Sequence, residues 1–263
     1  AADGTVAVGY AALNALTSGD GNVAVGYQAG TAMTDATRST AIGHLSLTTE
    51  VSGYQNTAVG WKSMWQQNGG VQNTGVGYGV GYYNGTGDNN TYIGYSAGFG
   101  ASGQSNSNNV AVGSSALLSV TTGSGNTAVG IACGDAITDG EFNSLFGRNA
   151  GGDIVGGDQN TFIGNYAGAN TIAAGYCVAL GSQAANANMT TDANGTIAVG
   201  YKSLTALTSG EKNTAIGYNA GAAMTTSDGN TIIGYNAYAV GNNADLKGHN
   251  VMIGSGVCDT GTD

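Results

Sequence analysis

Apolar and polar positions follow a short word that recurs along the whole chain. It runs small polar, β-branched, small apolar, large apolar, glycine, as in Asn213-Thr214-Ala215-Ile216-Gly217. The closing glycine falls at Gly9, Gly26, Gly43, Gly60, Gly77, Gly94, Gly113, Gly130, Gly147, Gly164, Gly181, Gly200, Gly217, Gly234 and Gly254. The interval is 17 residues, except for 19 before Gly113 and Gly200 and 20 before Gly254. A fixed period of this length is the mark of a stacked repeat architecture. The reading is a single repeat domain over 1–263, with small insertions near 100–108, 185–195 and 241–249.

The residue before each glycine is large and apolar: Val8, Val25, Ile42, Val59, Val76, Ile93, Val112, Val129, Phe146, Ile163, Leu180, Val199, Ile216, Ile233 and Ile253. Three before the glycine stands a β-branched residue or Ser, such as Val23, Thr57 or Val110. Side chains two apart share one face of a strand, so these columns point the same way. The larger one is expected to be the core ladder of the coil, with the Thr column also facing inward. A run of about five residues, this short and this β-branched, suits a strand and not a helix.

The column between them holds Ala in nine copies and otherwise Gly75, Tyr92, Leu145, Phe162, Ile232 and Met252. It never holds a charge or an amide, so the strand reads as apolar on both faces. Ala24, Ala58, Ala128, Phe162 and Ala215 are therefore expected to form an interface with another chain. Three after the glycine the side chain stays small, as in Ala29, Ser63, Cys133 and Ala220, which suggests a second short strand across a thin core. Asn stands four before the glycine in eleven copies, where stacked amides can satisfy the backbone of a tight corner. Turn chemistry fills the remainder. The predicted fold is all-β, a parallel β-solenoid (β-roll) of about fifteen 17-residue coils with a rise of about 4.8 Å each.

Composition sharpens this. The chain has 48 Gly, no Pro and only 8% charged residues, against about 25% charged in an average globular chain. Helical surfaces need more charge than that. The 14 Tyr and the regular Val and Ile argue against disorder. A formal charge of −10 speaks against nucleic acid or an anionic membrane as partner. No segment reaches the roughly 18 apolar residues of a spanning helix, so no membrane insertion is expected.

Aromatic residues follow the glycine at Tyr10, Tyr27, Trp61, Tyr78, Tyr95, Tyr201, Tyr218 and Tyr235, with His44 in the same column. Such a ladder can stack on the sugar rings of a glycan, or it can pack over a coil edge or between chains. Ser114 and Ser255 interrupt it. Cys133, Cys177 and Cys258 lie in different columns of separate coils, too far apart for an intrachain disulfide. His44 and His249 are isolated, and no catalytic or metal-binding spacing can be assembled, so no enzyme activity, cofactor or metal is expected. Acidic turns such as Gly156-Gly157-Asp158 lack the nine-residue period of a calcium-binding roll.

The word Asn-Thr-Ala-Val-Gly-Tyr-x-Ala, carried by Asn22–Gly30, Asn56–Met64 and Asn230–Tyr238, resembles the repeats of phage tail-fibre-domain proteins. More distantly, it is similar to the head repeats of trimeric autotransporter adhesins. The resemblance spans the chain. It implies a homotrimer of β-solenoids that serves as a fibre shaft or adhesive head, extracellular, on a virion or a cell surface. The partner would then be the chain itself, with a host surface glycan or protein as receptor. An ice- or carbohydrate-binding solenoid is the alternative raised by the regular Thr and Tyr columns.

Overall fold

A computed structural model describes residues 3–239 and 248–257, and these form a parallel β-solenoid. The chain makes two compact units, residues 1–126 and 127–263. The first holds β1 (Val6–Val8), β2 (Val23–Val25), β3 (Thr40–Ile42), β4 (Thr57–Val59), β5 (Thr74–Val76), β6 (Thr91–Ile93) and β7 (Val110–Val112). The second holds β8 (Thr127–Val129), β9 (Ser144–Phe146), β10 (Thr161–Ile163), β11 (Val178–Leu180), β12 (Ile197–Val199), β13 (Thr214–Ile216), β14 (Thr231–Ile233) and β15 (Val251–Ile253). Within each unit consecutive strands pair in parallel and in repeat register, Ala24 beside Ala41 and Ala198 beside Ala215. The insertion near 185–195 carries one 3₁₀ turn, Thr191–Ala193. The insertion expected near 241–249 lies largely outside the described residues.

Each coil is tied to the next on every side. Val6 N–H donates to Asn22 O (2.8 Å), Leu13 N–H to Ala29 O (3.1 Å), Thr17 N–H to Thr34 O (2.9 Å) and Gly21 N–H to Asp3 O (2.9 Å). The closing glycine is fixed by this stacking. Its φ is strongly positive, +133° at Gly60, and a β-carbon there would stand 2.0 Å from Gly77 O. Only glycine meets both conditions.

The stretch after the glycine is a turn and not the expected second strand. Residues two and four past it are left-handed, as at Lys202 (φ +54°) and Leu204 (φ +49°). Left-handed non-glycine residues cost about 1 kcal/mol or more each, and two of them break an extended run. The cost is offset by inter-coil bonds such as Leu204 N–H to Ala220 O (2.9 Å). The small residue between them still points into the thin core, so Ala29, Ser63, Cys133 and Ala220 are buried.

The strand itself is turned over relative to expectation. Its central residue faces the coil interior: Ala24, Ala58, Ala128, Phe162 and Ala215 are fully buried, so this column is core and not an interface. The column read as a core ladder faces outward. Val8 is 55% exposed, Ile216 40% and Ile253 67%, and Ile42, Val76, Ile93, Phe146 and Ile163 are exposed as well. Val25, Val59, Val112, Val129, Leu180, Val199 and Ile233 are half-buried on the same outer face. The Thr column shares their parity and also faces out. The reason is space. A 17-residue coil has a narrow interior, and larger side chains from the turns already fill it: Leu13, Leu47, Met64, Leu117 and Leu204, with Met33, Ile137, Ile154, Leu207 and Met224.

In several coils volume is exchanged between two core positions. Where the strand centre is Ala, a Leu or Met often stands four past the glycine, as in Ala58/Met64 and Ala198/Leu204. Where it is aromatic, that position is glycine, as in Tyr92/Gly98 and Phe162/Gly168. Such exchange keeps the core at native density.

The Asn corner is as expected, and buried. Asn73 N–H donates to Asn56 Oδ1 (2.9 Å), while Asn56 Nδ2 donates to Gly70 O (2.6 Å). The pattern repeats at Asn90, Asn109, Asn160 and Asn230. One amide therefore serves two backbone groups of the following coil, which water cannot reach.

Candidate functional site: aromatic ladders and a groove

The aromatic column lies exposed beside the strand edge, because the residue after the glycine follows the outward end of the strand. In the first unit Tyr10 stacks on Tyr27 (ring centroids 5.3 Å apart), Tyr27 on His44 (5.1 Å), Trp61 on Tyr78 (4.4 Å) and Tyr78 on Tyr95 (5.2 Å). In the second unit Tyr201 stacks on Tyr218 (5.1 Å) and Tyr218 on Tyr235 (5.3 Å). The coil rise sets these spacings. Ring faces inside a ladder are largely spent on each other, leaving edges, hydroxyls and the outer faces at the ladder ends. Ser114 ends the run after Tyr95, which stays 57% exposed.

A second aromatic row lies alongside in coils four to six only. Trp65 packs on Tyr82 (5.0 Å, tilted) and Tyr82 stacks on Phe99 (4.8 Å). Tyr83 stands edge-on to both Tyr82 and Phe99. Between the two rows runs a groove of about 440 Å³ lined by Trp61, Tyr78, Tyr82, Tyr83, Tyr95, Ser96, Phe99, Ser115 and Leu118. Its lining contains no acidic residue.

A cation contacts two of the lining residues, Trp61 and Tyr82. Lys62 Nζ lies 4.7 Å from the Trp61 ring and 4.7 Å from the Trp65 ring, and donates to Tyr82 Oη (3.2 Å). Cation–π contact holds the ammonium over the rings while leaving donor capacity free. Sequence reading found the first row and missed the second, whose position in other copies holds residues such as Asn14, Thr31 and Thr205.

The remaining sequence candidates are scattered. Cys133 and Cys177 are free, buried thiols. Burial pushes the Cys133 thiol up to about 12 and raises Cys177 as well. Cys258 lies outside the described residues. His44 belongs to the aromatic ladder, and His249 is exposed. Glu50 is the one fully buried acid among the described residues; burial raises its carboxyl above the ordinary value, against the N–H groups of Gly69 and Gly53. Among the described residues no three His, Cys, Asp or Glu side chains come together as metal ligands.

No protein-family model matches the chain, and no curated protein matches it either.

Proposed function

We propose that the chain is a structural and adhesive segment of an extracellular fibre, a homotrimer of the kind its repeats suggest, on a virion or cell surface and without catalysis. One observation supports this most directly. The outer strand face presents a Val/Ile/Phe row, one residue per coil, with Ile42, Ile93, Ile163 and Ile216 each about 40% exposed. Within each unit, an apolar row of this regularity on a chain otherwise rich in polar turns is characteristic of a protein interface. A parallel row also offers a second copy the same register at every coil, which suits a fibre.

Sedimentation equilibrium tests the reading. The unsubstituted chain is expected as a trimer, and Ile93→Lys with Ile216→Lys is expected as a folded monomer with unchanged far-UV circular dichroism. A stable, folded monomer of the unsubstituted chain overturns it.

The outward Thr column favours a second reading. Thr40, Thr57, Thr74 and Thr91 stand in adjacent strands beside the Ile and Val row, a periodic hydroxyl and methyl array of the kind that could order water as an ice-binding face. A thermal-hysteresis measurement separates the two, because a face buried in a trimer cannot also meet ice.

A further inference from the structure

The groove between the two aromatic rows in coils four to seven is, we infer, a carbohydrate-binding site. The argument starts from what the scaffold does not need. The ladder next to the glycine recurs in both units and follows from stacking. The opposing wall does not recur. At its position Tyr201, Tyr218 and Tyr235 are faced by Thr205, Ala222 and Ala239, whereas Trp61, Tyr78 and Tyr95 are faced by Trp65, Tyr82 and Phe99. The wall is confined to three adjacent coils of one unit, so the repeat itself does not dictate it.

Its chemistry selects the ligand. Ring edges and outer faces bind the C–H surface of a pyranose, while the Tyr and Ser hydroxyls of the lining bond to sugar oxygens. The groove is large enough for a small oligosaccharide, and its lining spans coils four to seven. The repeating distance along it is one coil height, about 4.8 Å. A hydrophobic peptide would not need so many hydroxyls along its path. This gives the adhesive part of the proposed function its ligand class, and it does not depend on the oligomeric state.

Of the two tryptophans of the chain, Trp61 lines the groove and Trp65 packs on the lining residue Tyr82, so intrinsic fluorescence reads binding without a label. The full chain is titrated with cellobiose, chitobiose, lactose and digalacturonate, and its circular dichroism is recorded for every variant. A saturable emission shift with at least one sugar is expected. Phe99→Ala or Tyr83→Ala, neither of which removes a tryptophan, should weaken it at least about tenfold, and Tyr218→Ala in the second ladder should leave it unchanged. The inference is overturned if none of the four sugars shifts the emission, if folded Phe99→Ala and Tyr83→Ala chains bind as the unsubstituted chain does, or if Tyr218→Ala abolishes binding equally. Sedimentation remains the separate test of self-association, so either reading can fail alone.

Discussion

The ring of Phe162 occupies the place of a side chain at Gly168: a β-carbon there would lie 2.3 Å from Phe162 Cε2. Both residues belong to one coil, six positions apart, and together they hold the volume that Ala198 and Leu204 share in coil twelve. The pair should therefore be exchangeable as a unit. Phe162→Ala alone is expected to cost about 3–5 kcal/mol through the cavity it leaves. Gly168→Leu alone should cost about 1–3 kcal/mol by overpacking. The double substitution should lose clearly less than the sum, since Leu204 shows that Leu accepts this left-handed backbone (φ +49°, against +57° at Gly168). A double-mutant cycle by chemical denaturation measures the coupling; strict additivity would mean that the two do not share space.

The exchange also shows where sequence reading reached and where it stopped. Period-two parity correctly pairs Thr214 with Ile216 and sets Ala215 against them, but parity cannot say which side is inside. That depends on interior width, which is set by Leu204, Met224 and their equivalents, hidden among turn residues. Choosing the larger column as core reversed Ala215 and Ile216. The Asn corner was legible because an uncharged amide recurs where a stacked backbone needs one. The groove was not, because Trp65, Tyr82 and Phe99 occur in three copies only, and a repeat-based reading discards what does not repeat.

The Asn corner carries a measurable share of stability. Asn73 Oδ1 accepts from Asn90 N–H (2.9 Å), and Asn73 Nδ2 donates to Gly87 O (2.8 Å). Asn73→Ala leaves the Asn90 N–H buried and unpaired, at about 1–3 kcal/mol, while Gly87 O keeps the Gln67 amide as its donor (3.1 Å). The loss is expected to be about 1–3 kcal/mol in chemical denaturation, with faster hydrogen exchange at the Asn90 amide. Asn68→Ala, at an exposed turn, should change stability by no more than about 0.5 kcal/mol. Equal effects at the two sites would show that the buried amides are not what holds the corner.

Glu50 makes stability depend on pH. Its Oε1 accepts from Gly53 N–H (2.6 Å) and Gly69 N–H (2.8 Å), yet burial dominates and raises its carboxyl above 4.5. An acid whose folded value is raised favours the protonated state in the fold. Its contribution is therefore complete below the ordinary value and is lost as pH rises through the folded value. Glu50→Gln is isosteric, and Gln67 already fills the same position in the next coil, where its Nε2 donates to Gly87 O (3.1 Å). The variant is expected to melt higher than the parent at pH 7, with the advantage disappearing towards pH 4. Burial also raises Asp135, with repulsion from Asp153 adding to it, so the difference between the two chains is the quantity to follow. Parallel profiles across pH 4–7 would remove Glu50 as a cause.

Cys177 interrupts the Asn column and offers a repair. It receives the ladder normally: its backbone N–H donates to Asn160 Oδ1 (3.0 Å). Its one thiol proton is shared between Gly175 O (3.3 Å) and Ala193 O (3.4 Å), the latter being the equivalent of the carbonyl that the Asn amide bonds elsewhere. Sulfur is a weak donor and a weak acceptor, so the corner of coil eleven is bonded less well than its neighbours. Cys177→Asn supplies Nδ2 for Ala193 O and Oδ1 for the N–H of Thr196, the next residue in the column. Replacing weak sulfur contacts with amide bonds is expected to stabilise the second unit by about 1 kcal/mol. Cys177→Ser is the necessary comparison, because it removes the thiol without extending the ladder, and it should not stabilise. A gain in both variants, or in neither, would show that the amide ladder is not what coil eleven lacks.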